Sequence, residues 1–597
     1  MASNTRFESI KVYKTILPFF KKHKYEFIIG SFFVMLNSLF SIITPWVLKI
    51  GIDNIKAALS LKLLGFYALL IILLTFIIGI FRYSMRKILI SLSRVFEYQL
   101  HNDIYEHTLK LPQSFFDTGY TGDVMSKITN DVHAVRMVAG PAFMYSMNTI
   151  FTSIFAITMM IKINPWLTLY ALIPLPIISV SIFNIGKKIR FYFNNVQEKF
   201  SEMSVKTQEN LNGIREVKVF AREDTEIEEF KKINKDYVEQ NRHLMKIFSL
   251  MFPFFIFLIG ISALIILWIG GIYVNENKIS LGSFVAFNSY LLLMAWPAIA
   301  LGWVLNIIQR GAASMKRIND LLQKPIKNKD EGSSALIGNH KDYDKASLQL
   351  SQLHFAYNSI PVLTDLNMQI LPHQTIAITG PTASGKSTLL KLILRRYDYQ
   401  NGEILFANMS LKSIPIQDWL AMIGYVSQDS FLFSDTIENN LLLGTASVDN
   451  DFIAECMKIA CIDNEVALMP EKMKTIIGER GITLSGGQKQ RLSLARALMR
   501  KPHILILDDP FSQVDINTEY LIWNNLKNYH HSPIRIFTSQ RIHSIRYADT
   551  ICVITNGQIA ESGTHQDLLA RKGTYYRLFQ KQLIKEGSQA LTPNEVM

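Results

Sequence analysis

Gly380 through Ser387 spell G-x-x-x-x-G-K-S inside the longer stretch TIAITGPTASGKSTLLKLIL. An apolar strand, a glycine loop and then a helix form the context in which backbone N–H groups close around phosphates. Lys386 is placed to neutralise the outer phosphates, and the Ser387 hydroxyl to reach Mg²⁺. The helix that follows adds the positive end of its dipole. Gly380, Ser384, Gly385, Lys386, Ser387 and Thr388 are thus the expected nucleotide-binding set, with ATP and Mg²⁺ as ligands. A second apolar strand, HILILDDP, ends in Asp508 and Asp509. Acids at the end of a buried strand beside a phosphate loop suit a metal ion and an attacking water. Asp508 is expected to hold the metal, and Asp509 to sit near the water. Two acids ending a strand carry little weight alone; beside the loop they carry much.

The elements that must position these residues occupy only the second half of the chain. Of 597 residues, those up to about Arg310 hold nearly all the long apolar runs. The rest alternates short apolar runs with Gly, Asp and Ser, as a soluble α/β domain does. A helix needs about 20 apolar residues to cross a bilayer. Candidate spans run from Phe27 to Val47, Leu63 to Ile80, Met144 to Ile161, Leu167 to Phe183, Phe252 to Ile272 and Phe284 to Val304, none with a charge in its middle. Short connections follow the first, third and fifth spans. The long ones, from about 82 to 136 and about 184 to 245, are polar with apolar residues at helical spacing, so the spans are expected to continue into the cytosol as helices. Basic residues at their membrane ends place them inside. The segment 11–24 is basic and aromatic and is expected to lie along the inner interface. Pro45, Pro253 and Pro297 fall within spans, where either a hinge or plain packing accounts for them.

The formal net charge of +13 crowds the edges of the apolar runs, at Lys21, Lys22 and Lys24, at Arg82, Arg86 and Lys87, and at Lys187, Lys188 and Arg190. That placement suits anionic lipid, and no recognition motif accompanies it, so nucleic acid is not an expected partner. Cys456, Cys461 and Cys552 match no metal spacing and read as reduced thiols packed in a core. The first twenty-odd residues are polar and basic, and the apolar run after them is too long for a signal peptide.

Residues 475–498, TIIGERGITLSGGQKQRLSLARAL, contain LSGGQ at Leu484–Gln488. With the glycine loop and the paired acids, this resembles the ATP-binding-cassette (ABC) proteins over about residues 350–580. Residues 115–132 and 210–223 resemble the intracellular loops of the multidrug-type ABC exporters, so the whole chain resembles one of their half-transporters. The fold so implied is multidomain: an all-α transmembrane domain of six helices followed by an α/β P-loop ATPase cassette with a helical subdomain. The expected divisions are an interfacial segment 1–24, the membrane domain 25–320, a linker 321–346, the cassette 347–583 and a disordered tail 584–597. The resemblance also assigns roles. Tyr357 would stack on adenine. Gln428 would contact Mg²⁺ with Ser387 and Asp508, and sense the membrane-domain loops. Asp515 would lie in the segment that crosses a dimer interface. Leu484, Ser485, Gly486, Gly487 and Gln488 would face the partner's nucleotide.

Two positions depart from the family pattern. Asp509 stands where the family has Glu, and Gln540 where it has His before an Arg; His543 lies three residues later and is not expected to substitute. Asp is one methylene shorter, and a displacement of about 1 Å at a reacting centre costs on the order of 10²-fold. Gln donates a hydrogen bond to a γ-phosphate but brings no positive charge. Both changes weaken hydrolysis and leave ATP binding intact. The expectation is a heterodimer in which this chain's own ATP site turns over slowly while its LSGGQ completes the partner's hydrolytic site.

The expected function is ATP-driven export of small hydrophobic or amphipathic molecules by a multi-pass protein of a bacterial inner membrane, with membrane lipids as further partners. A lipid or lipid-linked-molecule flippase is the alternative, and an ATP-gated channel or regulator a third. The intact LSGGQ argues against the third, having little purpose unless some site hydrolyses. Import is disfavoured, because importers usually carry the cassette on a separate chain. Phe254, Phe255, Met294, Trp296 and Trp303 suit apolar cargo or helix packing.

Overall fold

The computed structural model describes residues 16–55, 61–118, 121–326, 343, 346–443, 445, 449–478, 484–531 and 533–585. The expected linker and tail lie largely outside these residues, as do the first fifteen of the interfacial segment. The chain divides into two units, Met1–Lys110 with Gly119–Lys324, and Leu111–Thr118 with Pro325–Met597.

The first unit is helical. A short helix α1 (Leu17–Lys22) precedes α2 (Lys24–Ile55) and α3 (Leu61–Leu109). The next long rod is built from α4 (Thr121–Ser126), α5 (Val132–Met137) and α6 (Phe143–Ile163), joined by π-helical turns at Lys127–Asp131 and Val138–Ala142. Then come α7 (Pro165–Leu172), α8 (Pro174–Asn212), α9 (Glu223–Ile265), a π-turn at Ile266–Gly270, α10 (Gly271–Asn275) and α11 (Leu281–Leu322). Among the described residues, five of these rods are long and apolar enough to cross a membrane: Lys24–Ile55, Lys62–Leu109, Thr121–Ile163, Glu223–Asn275 and Leu281–Leu322.

The fourth expected span is not among them. Its apolar run is helical but divided at Ile173, because Pro174 brings no N–H for the preceding turn. Its longer piece soon meets Lys187, Lys188 and Arg190. The helices do run far past their apolar stretches, as the helical spacing in the long connections indicates. The prolines expected as possible hinges lie inside uninterrupted helices at Pro45, Pro253 and Pro297. The irregular turns fall elsewhere, at the three π-segments, of which one contains Pro141. Of the aromatic and Met positions offered for cargo, Phe255 and Met294 are buried, whereas Trp296 and Trp303 are exposed beside Tyr145, at ring distances of 6.4 and 5.2 Å.

Polar contacts fix the register of these rods. Thr152 donates to the Ser38 hydroxyl at 3.1 Å, and Asn37 and Ser38 both reach the Asn148 carbonyl oxygen at 3.4 Å, joining α2 to α6. The Asp53 carboxylate, near the end of α2, accepts the Gly282 N–H at 2.8 Å and the Ser280 hydroxyl at 2.7 Å, and so caps α11 from outside. The buried Asp131 accepts from Ser314 at 2.9 Å and from Arg317 Nε at 2.8 Å, with the second guanidinium arm on its other oxygen. Removing Arg317 leaves that buried carboxylate short of its charge partner. Arg317→Met is therefore expected to cost about 2 kcal/mol, since hydrogen bonds to charged groups are worth about 1.5–3 kcal/mol each and this guanidinium is half exposed. The thermal unfolding midpoint in detergent reads this loss. Adding Asp131→Asn should recover much of it.

The second unit holds two sheets. β1 (Leu348–Tyr357), β2 (Ile360–Ile370), β4 (Asn401–Phe406) and β5 (Met409–Ser410) form an antiparallel sheet of order β2-β1-β4-β5. β3 (Gln374–Thr379), β6 (Ile423–Val426), β7 (Ile504–Asp508), β8 (Ile534–Thr538), β9 (Thr550–Thr555) and β10 (Gln558–Gly563) form the other, of order β10-β9-β3-β8-β7-β6. That sheet is parallel except for β10. Its central strands read as unbroken apolar runs because both faces are covered. Ile376, Ile378, Ile504 and Ile506 enter one core, and Ala377, Leu505, Leu507 and Phe537 the other. The Trp419 indole, fully buried, donates to the Ile393 carbonyl at 2.8 Å and caps helix α12 (Lys386–Ile393), which follows the glycine loop. The cysteines are free thiols. Cys456 and Cys552 are buried as expected, but Cys461 is only half buried. It occupies a left-handed turn (φ 53°) after a helix and lies 3.6 Å from the Asn525 amide.

Candidate nucleotide site

Strand register assembles this site. Ile378 pairs with Thr538, and Thr538 with Asp508, so β3, β8 and β7 end in one row at the C-terminal edge of the parallel sheet. Ligands of such sheets bind at that edge. The glycine loop leaves β3 there. Gly380 has φ 143°, and a Cβ at that position would lie 2.1 Å from the Ile554 carbonyl oxygen, so only glycine lets the loop pass β9.

Within the loop the Lys386 ammonium folds back on the backbone, donating to Gly380 O at 2.9 Å, Pro381 O at 2.7 Å and Ser384 Oγ at 3.4 Å. Three loop oxygens thus converge on the ammonium. Burial lowers the Lys386 pKa, and the nearby Asp508 and Asp509 carboxylates oppose that shift. Ser387 donates to Asp508 Oδ1 at 3.0 Å, and Thr538 to the same oxygen at 2.6 Å. A hydroxyl and a carboxylate held together are the hard oxygen ligands that suit Mg²⁺. Thr388 is half buried on the first turn of α12.

Asp509 is the first residue beyond β7, in a left-handed conformation (φ 48°), its N–H shared between Thr538 O at 3.1 Å and Thr538 Oγ1 at 2.9 Å. Burial raises its carboxyl pKa, Asp508 adds to the rise, and Arg541 and Lys386 oppose it. Gln540 is exposed in the turn after β8. Tyr357 ends β1 half buried, its ring edge-to-face with Phe355 at 4.8 Å and Tyr397 at 5.2 Å. Gln428 is exposed and lines a polar cavity of about 190 Å³ with Asp429, Ser430, Gly486, Lys489, Gln490 and Gln513. Ser387 and Asp508 are not in that lining.

LSGGQ opens helix α13 (Gly486–Leu498). Ser485 is its N-cap in a capping box with Gln488, which adds a bond to Glu465 at 2.6 Å, and Leu484 packs at the edge of the core. Asp515 caps helix α14 (Ile516–Lys527) by accepting the Thr518 N–H at 2.9 Å, a bond that lowers its pKa. The structure therefore gathers Gly380, Ser384, Lys386, Ser387, Asp508 and Asp509 around one strand edge, and sets Gln428 and Gly486 of the signature around a separate cavity. Thr538, which holds both acids, was not singled out in the sequence. Its signal was its place at the end of an apolar strand.

Residues 27–298 match the family described as ABC transporter transmembrane region, and residues 363–512 that described as ABC transporter. The probable multidrug resistance ABC transporter ATP-binding/permease protein YheI of Bacillus subtilis (strain 168) is 33% identical over 575 residues, covering 96% of this chain and 97% of that protein. This chain belongs to the ABC transporters. Another relative among the ABC transporters is the multidrug resistance-like ATP-binding protein MdlA of Buchnera aphidicola subsp. Schizaphis graminum (strain Sg), 34% identical over 564 residues (93% and 96% coverage). The ATP-dependent lipid A-core flippase of Syntrophus aciditrophicus (strain SB) is 30% identical over 583 residues (97% and 96%). In fold the chain is similar to a bacterial Atm1-family ABC exporter with ATP bound, with TM-score 0.77, 23% identity and coverage of 94% and 99%. As an ABC transporter it is a multi-pass integral membrane protein with a C-terminal ATPase domain, and it couples ATP hydrolysis to export.

In this ABC transporter a further carboxylate, Glu519 on α14, is buried behind the Arg541 guanidinium at 4.0 Å and accepts the Ser544 hydroxyl. Burial raises its pKa. A carboxyl with a raised folded pKa contributes stability below its ordinary range and loses it as pH rises through the folded value. Glu519→Gln keeps the acceptor for Ser544 and removes the charge. It is expected to unfold at a higher temperature than wild type at neutral pH, the gap closing as pH falls below the carboxylate range. Thermal scans of both proteins across pH measure this.

Proposed function

We propose that this chain is the weakly hydrolytic half of a heterodimeric ABC exporter for hydrophobic or amphipathic molecules. The observation that carries the reading is an intact glycine loop and LSGGQ beside Asp509 and Gln540, where the family pattern has Glu and His. In this reading Lys386 and the loop N–H groups bind the ATP phosphates and Tyr357 supports the base, while Ser387, Asp508 and Gln428 would hold Mg²⁺, which would neutralise phosphate charge. Asp509 orients the attacking water poorly, being short and half buried, and Gln540 lends the γ-phosphate a hydrogen bond without charge. Leu484, Ser485, Gly486, Gly487 and Gln488 close the partner's site, with Asp515 at the interface between the cassettes. A sixth crossing, made by α7 and α8, puts the N-terminus and the ATPase domain on one side of the membrane. The linker 321–346 joins the domains 25–320 and 347–583.

The chain is to be purified alone and with its partner half-transporter, and inverted vesicles tested for ATP-dependent uptake of an amphipathic dye. Uptake is expected only from the pair. Substantial transport-coupled hydrolysis by the chain alone overturns the heterodimer. A second reading, lipid flipping, is favoured by the flippase relative. Movement of a labelled lipid between leaflets without dye uptake would establish it in place of export.

A further inference from the structure

The segment Pro510–Val514, between the paired acids and Asp515, is gripped from two sides. From one side comes Arg541, the residue after Gln540. Its guanidinium donates to Phe511 O at 2.8 Å, Val514 O at 2.9 Å and, with its other arm, Ser512 O. Arg541 is itself anchored to the end of β8 by its N–H on Ser539 Oγ at 3.0 Å. From the other side comes Gln490, on the second turn of α13 and only 3% exposed. Its amide donates to Ser512 Oγ at 2.8 Å and accepts the Gln513 N–H at 3.0 Å, so both ends are satisfied by one loop. The contact continues into the signature. A Cβ on Gly487 would lie 2.8 Å from the Gln513 carbonyl oxygen, and one on Gly486 would overlap the Gln513 side chain. Gly487 is therefore required by the backbone of this chain's own loop, independently of any nucleotide, whereas at Gly486 the Gln513 side chain would have to swing aside.

We propose that Arg541 and Gln490 are positioning residues forming a clamp on loop 510–514, through which the state of this chain's own ATP site sets the position of the signature it lends to its partner. The inference rests on the reading that the signature acts on the partner's nucleotide. A shift of the segment carrying Asp509 or Gln540 moves the carbonyls that Arg541 holds. Gln490 then carries the shift to α13, whose first turn packs directly on the same loop. A planar fork spanning several carbonyls suits this role, and an ammonium does not replace it.

The test uses the full assembly in lipid nanodiscs with Mg-ATP as the probe. Gln490→Met and Arg541→Lys are each expected to lower kcat between about tenfold and about a hundredfold, with KM within about twofold of wild type, because geometry is lost and binding is not. The double variant is expected to be no slower than the worse single one, since both act through one loop. Effects that multiply, or a raised KM with kcat unchanged, overturn the clamp. Ser512→Ala removes one contact without disturbing either gripping residue, and should lower kcat in the same direction by a smaller factor. A wild-type kcat for Ser512→Ala overturns the Gln490 arm even where Gln490→Met fails to fold. Gly487→Asp in this chain separates the underlying reading: hydrolysis that survives it overturns the shared site, and a loss of hydrolysis supports it whatever the clamp variants do.

Discussion

Lys386→Met is expected to weaken Mg-ATP binding at this chain's site by about 10²- to 10³-fold, because hydrogen bonds to charged groups contribute about 1.5–3 kcal/mol each and the ammonium makes more than one. That ammonium is held by two loop carbonyls and the Ser384 hydroxyl at 2.7–3.4 Å. In the proposed site, phosphate oxygens would take the place of those oxygens, so the side chain would enter the complex already ordered with little entropy lost. Methionine matches the length of the stem and provides neither charge nor donor. It also leaves the Gly380 and Pro381 carbonyls without their cation, so the loop loses shape as well as charge. Lys386→Arg is not expected to rescue binding, since a wide planar fork cannot sit where a compact ammonium meets three converging oxygens. Equilibrium dialysis with labelled ATP measures the effect. A dissociation constant within tenfold of wild type would sink the assignment of this loop.

The double substitution Asp509→Glu with Gln540→His is expected to raise hydrolysis at this chain's own site by on the order of 10²-fold, the penalty that about 1 Å of misplacement brings at a reacting centre. The geometry explains why both positions contribute. Asp509 is pinned by its N–H to Thr538 and by its left-handed backbone, so its short side chain cannot advance toward the phosphates by moving the main chain. The extra methylene of Glu spans that distance. Gln540 is exposed in the next turn, where an imidazolium could bring the positive charge that an amide lacks. Each single change is expected to give a smaller gain than the pair. Single-turnover hydrolysis, in the proposed heterodimer with the partner's site silenced, isolates the effect. No gain from the pair would show that these two positions do not limit turnover.

Much of this protein can be read from local chemistry. The glycine loop, the acids ending a strand and LSGGQ each carry a mechanism within a few residues, and their flanking apolar runs state the strand or helix that presents them. Long apolar runs likewise declare the membrane helices, because a bilayer imposes a length that soluble cores do not. The fourth span was less legible, since its apolar run contains Pro174 and Pro176 and ends in a basic cluster, and hydropathy alone cannot say where a helix divides. At Pro45, Pro253 and Pro297, where the sequence left hinge and packing open, the helices run on without a break.

What the amino-acid order determined is which groups meet phosphate and which stretches meet lipid, because both depend on residues adjacent in the chain. Only the folded arrangement decided that Thr538, thirty residues from Asp508, holds both acids, that Asp53 caps a helix beginning at Leu281, and that Gln490 and Arg541 grip one loop from two sides. Those contacts join segments distant in the chain through sheet order and helix packing. Each is a hydrogen bond set by register, and register follows from the whole core.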